Sequence, residues 1–297
     1  MTDTPPQRTT AGLVRQTALP PGLYFVATPI GTARDITLRA LDVLASADVL
    51  AAEDTRTARK LMDIHGVALG DRPLIAYHDH NGPAQRPRLL RALAEGKSVA
   101  YLSEAGTPLV ADPGFPLGRA AIAAGASVFA APGASAVLAA LTVSGLPSDR
   151  FLFAGFPPTT AGARKTWLTD LSQVQATLIL YESPKRVNRL LMDIIACCGG
   201  ERQIAVCREL TKRFEEVLRG SVADVLAALD GRSLKGEVVV VIDRGGPVVV
   251  DDETVEDALR DALKTMRVKD ASAAVAERLG LPRRDVYQLA LGLGKAT

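Results

Sequence analysis

Residues 103–114 read Ser-Glu-Ala-Gly-Thr-Pro-Leu-Val-Ala-Asp-Pro-Gly and directly follow the apolar run Ser98–Leu102. An apolar run that breaks into Gly and Pro reads as a buried strand entering a tight turn, with a helix resuming near Pro113. Ligands of open α/β sheets bind at such strand ends. Gly106 and Gly114 allow sharp turns and close approach to a ligand, while Pro108 and Pro113 stiffen the loop. An ordinary strand-to-helix connection has the same composition, so both readings stay open. Ionisable residues crowd other strand ends. Glu53 and Asp54 close one apolar run with Arg56 two residues on, Arg208 and Glu209 close another, and Lys235-Gly236-Glu237 opens a third. A carboxylate in such a place can take a proton, and a cation can hold a developing oxyanion. The plainer readings are an N-cap at Asp54 for a helix starting at Thr55, and weak surface ion pairs elsewhere.

Several other chemistries are excluded. The first apolar run is followed by Gly31 alone, so the G-x-G-x-x-G dinucleotide fingerprint is absent, and there is no G-x-x-x-x-G-K-[ST] phosphate loop. There is no G-x-S-x-G nucleophile elbow. Cys197, Cys198 and Cys207 lack the spacing of a zinc site and suit packed thiols. His78 and His80 stand two apart, on one strand face or in a turn made by Asp79 and Asn81. No metal is expected from them.

The elements that would hold these groups follow from periodicity. Strands are expected over 23–28, 48–52, 74–78, 98–102 and 127–131, alternating with helices over 35–46, 55–64, 89–94, 115–124 and 134–143. Repeated strand-helix units imply a mostly parallel sheet covered on both faces. Gly145 and Pro147 break the pattern. Strands are then expected over 151–154, 177–181, 203–207, 216–220 and 237–242, with helices over 186–197 and 222–229. Adjacent strands without intervening helices imply a mixed sheet with antiparallel pairs. After a Gly-Pro and acidic linker, helices over 254–266, 271–279 and 286–293 outline a helix-turn-helix. Arg283 and Arg284 stand at the start of its last helix. The expected organisation is a disordered extension over 1–21, α/β domains over 22–146 and 147–246 with a cleft between them, and a helical domain over 251–297.

Length and composition agree with such a layout. The chain has 297 residues, 47% hydrophobic and 23% charged, an ordinary globular balance. No apolar run approaches the roughly 20 residues of a membrane span, and the polar N-terminus lacks a signal-peptide core. A cytoplasmic location is the expectation. The net charge of +2 neither requires nor forbids RNA, since local distribution decides. Basic residues do cluster, at Arg56, Arg59 and Lys60, at Arg208, Lys212 and Arg213, and at Arg283 and Arg284. Solvated faces are the default reading for each cluster.

The segment over 103–114 resembles the Gly-Thr-Pro loop of the tetrapyrrole-methylase-like family of S-adenosylmethionine (SAM) methyltransferases. Four further stretches, at 23–31, 51–56 (Ala-Ala-Glu-Asp-Thr-Arg), 78–81 (His-Asp-His-Asn) and 235–237, resemble its branch acting on small-subunit ribosomal RNA. That resemblance runs from about Leu23 to the C-terminus. It implies 2′-O-methylation of a cytidine ribose in the decoding region of 16S rRNA, with the small ribosomal subunit as partner and a homodimer as the assembly. The nearest rival is C-methylation of a tetrapyrrole such as uroporphyrinogen or a precorrin. A rival of another class is a nucleic-acid-binding regulator using the helix-turn-helix.

Transfer to a ribose hydroxyl needs an in-line approach in a dry pocket and a base or cation for the weak nucleophile. The resemblance places Glu53, Asp54, Arg208, Glu209, Lys235 and Glu237 near the cleft, with the base unassigned among them. For SAM it implies Pro29, Gly106, Thr107, Pro108, Val110, Ala111, Ala134, Ser135, Tyr181, Glu182, Leu210, Gly236 and Val238. Ser135 has a second reading as a plain N-cap. At position 104 the family usually carries Asp, and this chain has Glu104, with the charge kept and the reach one methylene longer.

Overall fold

The computed structural model describes residues 14–245, 252–279 and 281–293. The first half is a five-stranded parallel sheet, β1 (Gly22–Val26), β2 (Val49–Ala52), β3 (Leu74–Ala76), β4 (Ser98–Leu102) and β5 (Val128–Ala131), in the order β3-β2-β4-β1-β5. β1, β2 and β4 are buried at every residue, as parallel strands covered on both faces must be. The cover consists of α1 (Leu38–Ser46), α2 (Thr55–Ile64), α3 (Gly82–Ala94) and α4 (Phe115–Ala123). One face packs Leu41, Leu44 and Met62 against Tyr24, Leu50 and Leu102. The other packs Leu89 and Leu117 against Phe25, Val99 and Tyr101.

The second half is a mixed sheet of β6 (Phe151–Gly155), β7 (Thr177–Glu182), β8 (Gln203–Arg208), β9 (Glu216–Ser221) and β10 (Val238–Ile242), in the order β6-β7-β10-β8-β9. Only β6 and β7 pair parallel. β10 runs antiparallel to both neighbours, and β8 to β9, as the strand-to-strand connections predicted. α6 (Ala161–Ser172), α7 (Val187–Cys198) and α8 (Val222–Ala228) cover one face through Leu168, Leu191, Ile194 and Val225. On the other face lies α5 (Ala136–Ser144), whose Val137, Ala140 and Leu141 meet Ile179, Ala205, Val239 and Val241, together with Ile30 from the first half. This apolar layer, at about 1.5–3 kcal/mol for each large side chain buried, joins the two sheets and sets the cleft between them. α6 is absent from the sequence expectations.

One expectation is corrected. Residues 14–21 belong to the expected disordered extension, yet they are tied to α1. Arg15 N donates to Asp42 Oδ1 (2.7 Å) and Thr17 N to Ser46 Oγ (3.0 Å), while Val14 and Leu19 pack on the first core. Residues 1–13, the linker over 246–251, Gly280 and 294–297 lie outside the described residues. Beyond the linker, α9 (Asp252–Leu263), α10 (Val268–Leu279) and α11 (Arg283–Leu293) close around Val255, Leu259, Val275, Val286 and Ala290. Arg283 and Arg284 start α11, both exposed. Among the described residues, no helix is long and apolar enough to cross a membrane.

Candidate active site

β1 and β4 are neighbours, so the loops after them leave the sheet side by side. Thr28 and Gly106 pair there as an isolated bridge, each N–H donating to the other's carbonyl (3.0 and 3.1 Å). Ser103 Oγ donates to Gly106 O (2.5 Å), and Thr107 Oγ1 to Ala134 O (2.9 Å). The Gly-Thr-Pro loop is therefore stapled to the chain entering α5. Gly106 has φ +83°, and a Cβ on it would come within 3.2 Å of Ile30 Cγ2. Leu109 and Ala111 also have positive φ (70° and 57°). Such non-glycine conformations cost of order 1–3 kcal/mol each and concentrate at functional sites. Asp112 holds the loop's far end, with Oδ1 accepting from Gly114 N (2.6 Å) and Tyr101 OH (2.8 Å).

The facing wall comes from the second sheet. Glu209 and Thr211, just after β8, have φ 51° and 63°, a left-handed geometry that a β-branched threonine rarely adopts. Thr211 Oγ1 accepts from Thr32 N (3.2 Å), which fastens this loop to the one after β1. Lys212 Nζ donates to Glu209 Oε1 (2.8 Å) and Glu237 Oε2 (2.7 Å), and Glu237 N donates to the same Glu209 Oε1 (3.0 Å). A Cβ on Gly236 (φ +90°) would overlap the Glu209 carboxylate. Gly236→Ala is therefore expected to lose about 1–3 kcal/mol of unfolding free energy and to displace Glu209. Denaturant titration checks the first effect, and weakened binding of the cleft's ligand checks the second.

Between these walls lies a cleft of about 710 Å³, within the range of small-molecule sites. Of the residues expected at it, Pro29, Gly106, Thr107, Val110, Ala111, Ser135, Tyr181, Glu182, Gly236, Val238, Glu53 and Glu237 line it. Ser135 sits at the N-cap position of α5 but makes no capping hydrogen bond, so the plain capping reading fails.

Pro108, Ala134, Leu210, Asp54, Arg208, Glu209 and Lys235 do not line the cleft. Pro108 is buried in the loop, and Ala134 contributes only the carbonyl that Thr107 grips. Leu210 is core. Asp54 caps α2, accepting from Arg56 N (2.7 Å) and Thr57 N (3.4 Å), and it pairs with the Arg56 guanidinium. That hydrogen bonding holds its carboxyl down to about 2. Arg208 turns to Glu216 (3.2 Å) and to the Lys235 carbonyl, and Glu209 acts as an anchor for Lys212 and Glu237. His78, Asp79, His80 and Asn81 form a turn in which Asn81 Oδ1 accepts from His78 N (2.9 Å). Among the described residues, no group of His, Cys, Asp and Glu could hold a metal.

The cleft also takes Lys212, Glu104, Asp112, Thr57 and Phe156. Its first wall is acidic. Burial raises the Glu53 carboxyl above its ordinary range, and the charges of Asp112, Glu104, Asp79 and Asp54 push it further. Burial also lifts Asp112, against the hydrogen bonds from Gly114 and Tyr101, and its Oδ2 is buried without a partner. On the second wall, burial alone would lower Lys212, but the hydrogen bonds it donates to Glu209 and Glu237 outweigh it and leave the ammonium firmly charged. Burial, with Glu237 nearby, raises Tyr181 to about 12. The arrangement offers a proton acceptor on one wall and a fixed cation on the other.

Residues 22–226 match the tetrapyrrole (corrin/porphyrin) methylases, and residues 249–294 match the RsmI C-terminal HTH domain. A ribosomal RNA small subunit methyltransferase I from Mesorhizobium japonicum is 45% identical over 95% of this chain and 97% of its own length. One from a Synechocystis species is 42% identical over 91% and 98%. Among solved structures, uroporphyrin-III-C-methyltransferase from Thermus thermophilus aligns with TM-score 0.53 and 23% identity, covering 74% of this chain and 93% of its own. That likeness shows the shared fold, two α/β halves around one cleft. With the cleft, the left-handed loops and the appended helices all accounted for, the chain belongs to the ribosomal RNA small subunit methyltransferase I family within the tetrapyrrole methylase fold.

Proposed function

We propose that this protein methylates the ribose 2′-oxygen of a cytidine in the decoding region of small-subunit ribosomal RNA, with SAM as donor. The observation that carries the reading is identity of 45% over nearly the whole chain to a relative named for that RNA. The helices α9–α11 support it, because they match a domain defined in the same family. Tetrapyrrole methylation rests on a distant likeness of fold alone.

The cleft's chemistry fits the donor. A sulfonium and an ammonium are cationic, and Glu53, Glu104, Asp112 and Glu237 give the lining complementary charge. Gly106 and Gly236 shape the lining by taking positive φ where a Cβ would crowd Ile30 or Glu209. SAM supplies an electrophilic methyl group when bound. Glu53, half-buried at the end of β2, accepts the proton of the ribose hydroxyl. Its raised affinity for a proton brings it nearer to the poor acid it must deprotonate. Lys212 presents a fixed positive charge that favours an oxyanion, and Glu209 positions it. Exposed Phe115 and Ile122, seven residues apart on α4, support a second copy as partner.

The test is methyl transfer from labelled SAM to small subunits lacking the modification, to naked RNA and to a tetrapyrrole. Label on a ribose 2′-oxygen is the expected result. Label on the tetrapyrrole alone overturns it.

A further inference from the structure

α2 starts at the cleft and leaves it across the surface. Its first turn supplies Thr57 to the cleft lining, four residues after Glu53. Ala58 and Met62 bury one side of the helix in the first core. On a period of 3.6 residues the opposite side carries Arg56, Arg59 and Lys60, all exposed, with Asp63 further along. Arg56 and Lys60 stand one turn apart, about 5–6 Å between Cβ atoms. The Arg56 guanidinium pairs with Asp54. Arg59 and Lys60 have no hydrogen-bond or ion-pair partner among the described residues. The turn Ala33–Asp35 is held against the far end of the helix, where His65 Nε2 donates to Ala33 O (2.9 Å). It adds exposed Arg34, also unpaired.

The first wall of the cleft is acidic, and a nucleic acid is a polyanion. An RNA strand reaching this wall meets Glu53, Glu104 and Asp112, and burial first, then these neighbouring charges, already raise Glu53. Something beside the cleft must offset that repulsion, and positive charge at the mouth of a site also speeds encounter. Unpaired cations in a row are free to replace condensed counterions along a phosphate chain. Phosphate contacts of this kind fix register without reading sequence.

We infer that the outer face of α2, with Arg59 and Lys60 at its centre, is a track for the RNA backbone that delivers the target nucleotide to the cleft. This rests on the reading of the substrate as ribosomal RNA. It assigns that substrate a binding surface on the first α/β half, separate from the C-terminal helices.

The experiment uses the full-length protein with Arg59→Glu and Lys60→Glu combined. Lys97→Ser serves as control, just before the first residue of β4 and so at the opposite end of that strand from the Gly-Thr-Pro loop. Binding to a fluorescein-labelled single-stranded oligoribonucleotide is followed from 50 to 200 mM salt, SAM binding by calorimetry, and methyl transfer on unmodified small subunits. The expected result is RNA affinity at least 10-fold weaker, a log–log salt slope shallower by about 1.4 for two lost single-strand contacts, a raised KM for subunits and unchanged SAM binding. Wild-type affinity and slope in the double variant, with wild-type methylation of RNA intact, overturn the track and leave the substrate reading standing. Wild-type protein that labels a tetrapyrrole and neither binds nor labels RNA overturns both.

Discussion

Glu53→Gln is expected to lower the rate of methyl transfer about 10²–10⁴-fold, the usual contribution of a general base, while SAM binding stays within a few-fold of wild type. Gln keeps the shape and the hydrogen-bonding reach of Glu and removes only the capacity to hold the proton. The pH profile separates this role from a structural one. A base acts deprotonated, so activity rises with pH through the pKa of Glu53. Burial and the Asp112, Glu104, Asp79 and Asp54 charges raise that pKa, so the acidic limb lies above the ordinary glutamate range. Gln removes that limb. Stability moves in the opposite sense. A carboxyl with a folded-state pKa above its unfolded value costs stability once pH exceeds the unfolded pKa, and the full cost is present above the folded one. At neutral pH the Gln variant is therefore more stable than wild type, and the gap closes as pH falls into the ordinary glutamate range. A stabilised but inactive variant is the pattern of a residue kept for chemistry. Unchanged kcat with an unchanged acidic limb would remove Glu53 from the role.

The second large effect is on stability. Arg164 on α6 is buried against Asp193 on α7, with Nε 2.7 Å and Nη2 2.6 Å from Asp193 Oδ2. Its Nη1 donates to the carbonyls of Pro158 (3.2 Å) and Thr159 (3.1 Å), which ties the chain entering α6 to the same guanidinium. Asp193→Ala would leave a buried cation without its counter-charge. The expected loss is about 3–5 kcal/mol, read from the midpoint of a urea titration at constant slope. Replacing both partners, as Arg164→Met with Asp193→Leu, is expected to recover most of it, because two apolar side chains carry no desolvation cost. A single variant within about 1 kcal/mol of wild type would show that water reaches the guanidinium.

This pair also explains the element that periodicity missed. Residues 161–172 carry a helix whose inward position is an arginine. A hydrophobic pattern counts that position as solvent-facing, so the stripe disappears from the sequence although the helix packs through Leu168. The extension over 14–21 failed for a related reason. Its polar, Pro-rich sequence has no period, and its order comes from Asp42 and Ser46 on α1, which accept its backbone hydrogen bonds.

What the sequence determined by itself is local. All-apolar runs made β1, β2 and β4 central strands of a parallel sheet. Direct strand-to-strand connections made the second sheet mixed, and Gly-Thr-Pro marked the loop at a strand end. Asp54 before Thr55 marked a cap. Each of these depends on neighbours a few residues away, which a linear text displays. The division of labour among the charged residues was decided only in three dimensions. Glu53 and Asp54 are adjacent, yet one lines the cleft and the other caps a helix. Glu209 and Lys235 lie beside the cleft without lining it, while Lys212, in a cluster read as solvated, is drawn into it by Glu209 and Glu237. Side-chain direction, desolvation and the sum of charges across a cleft depend on atoms from both sheets. Those distances exist only after α5 has packed the two halves together.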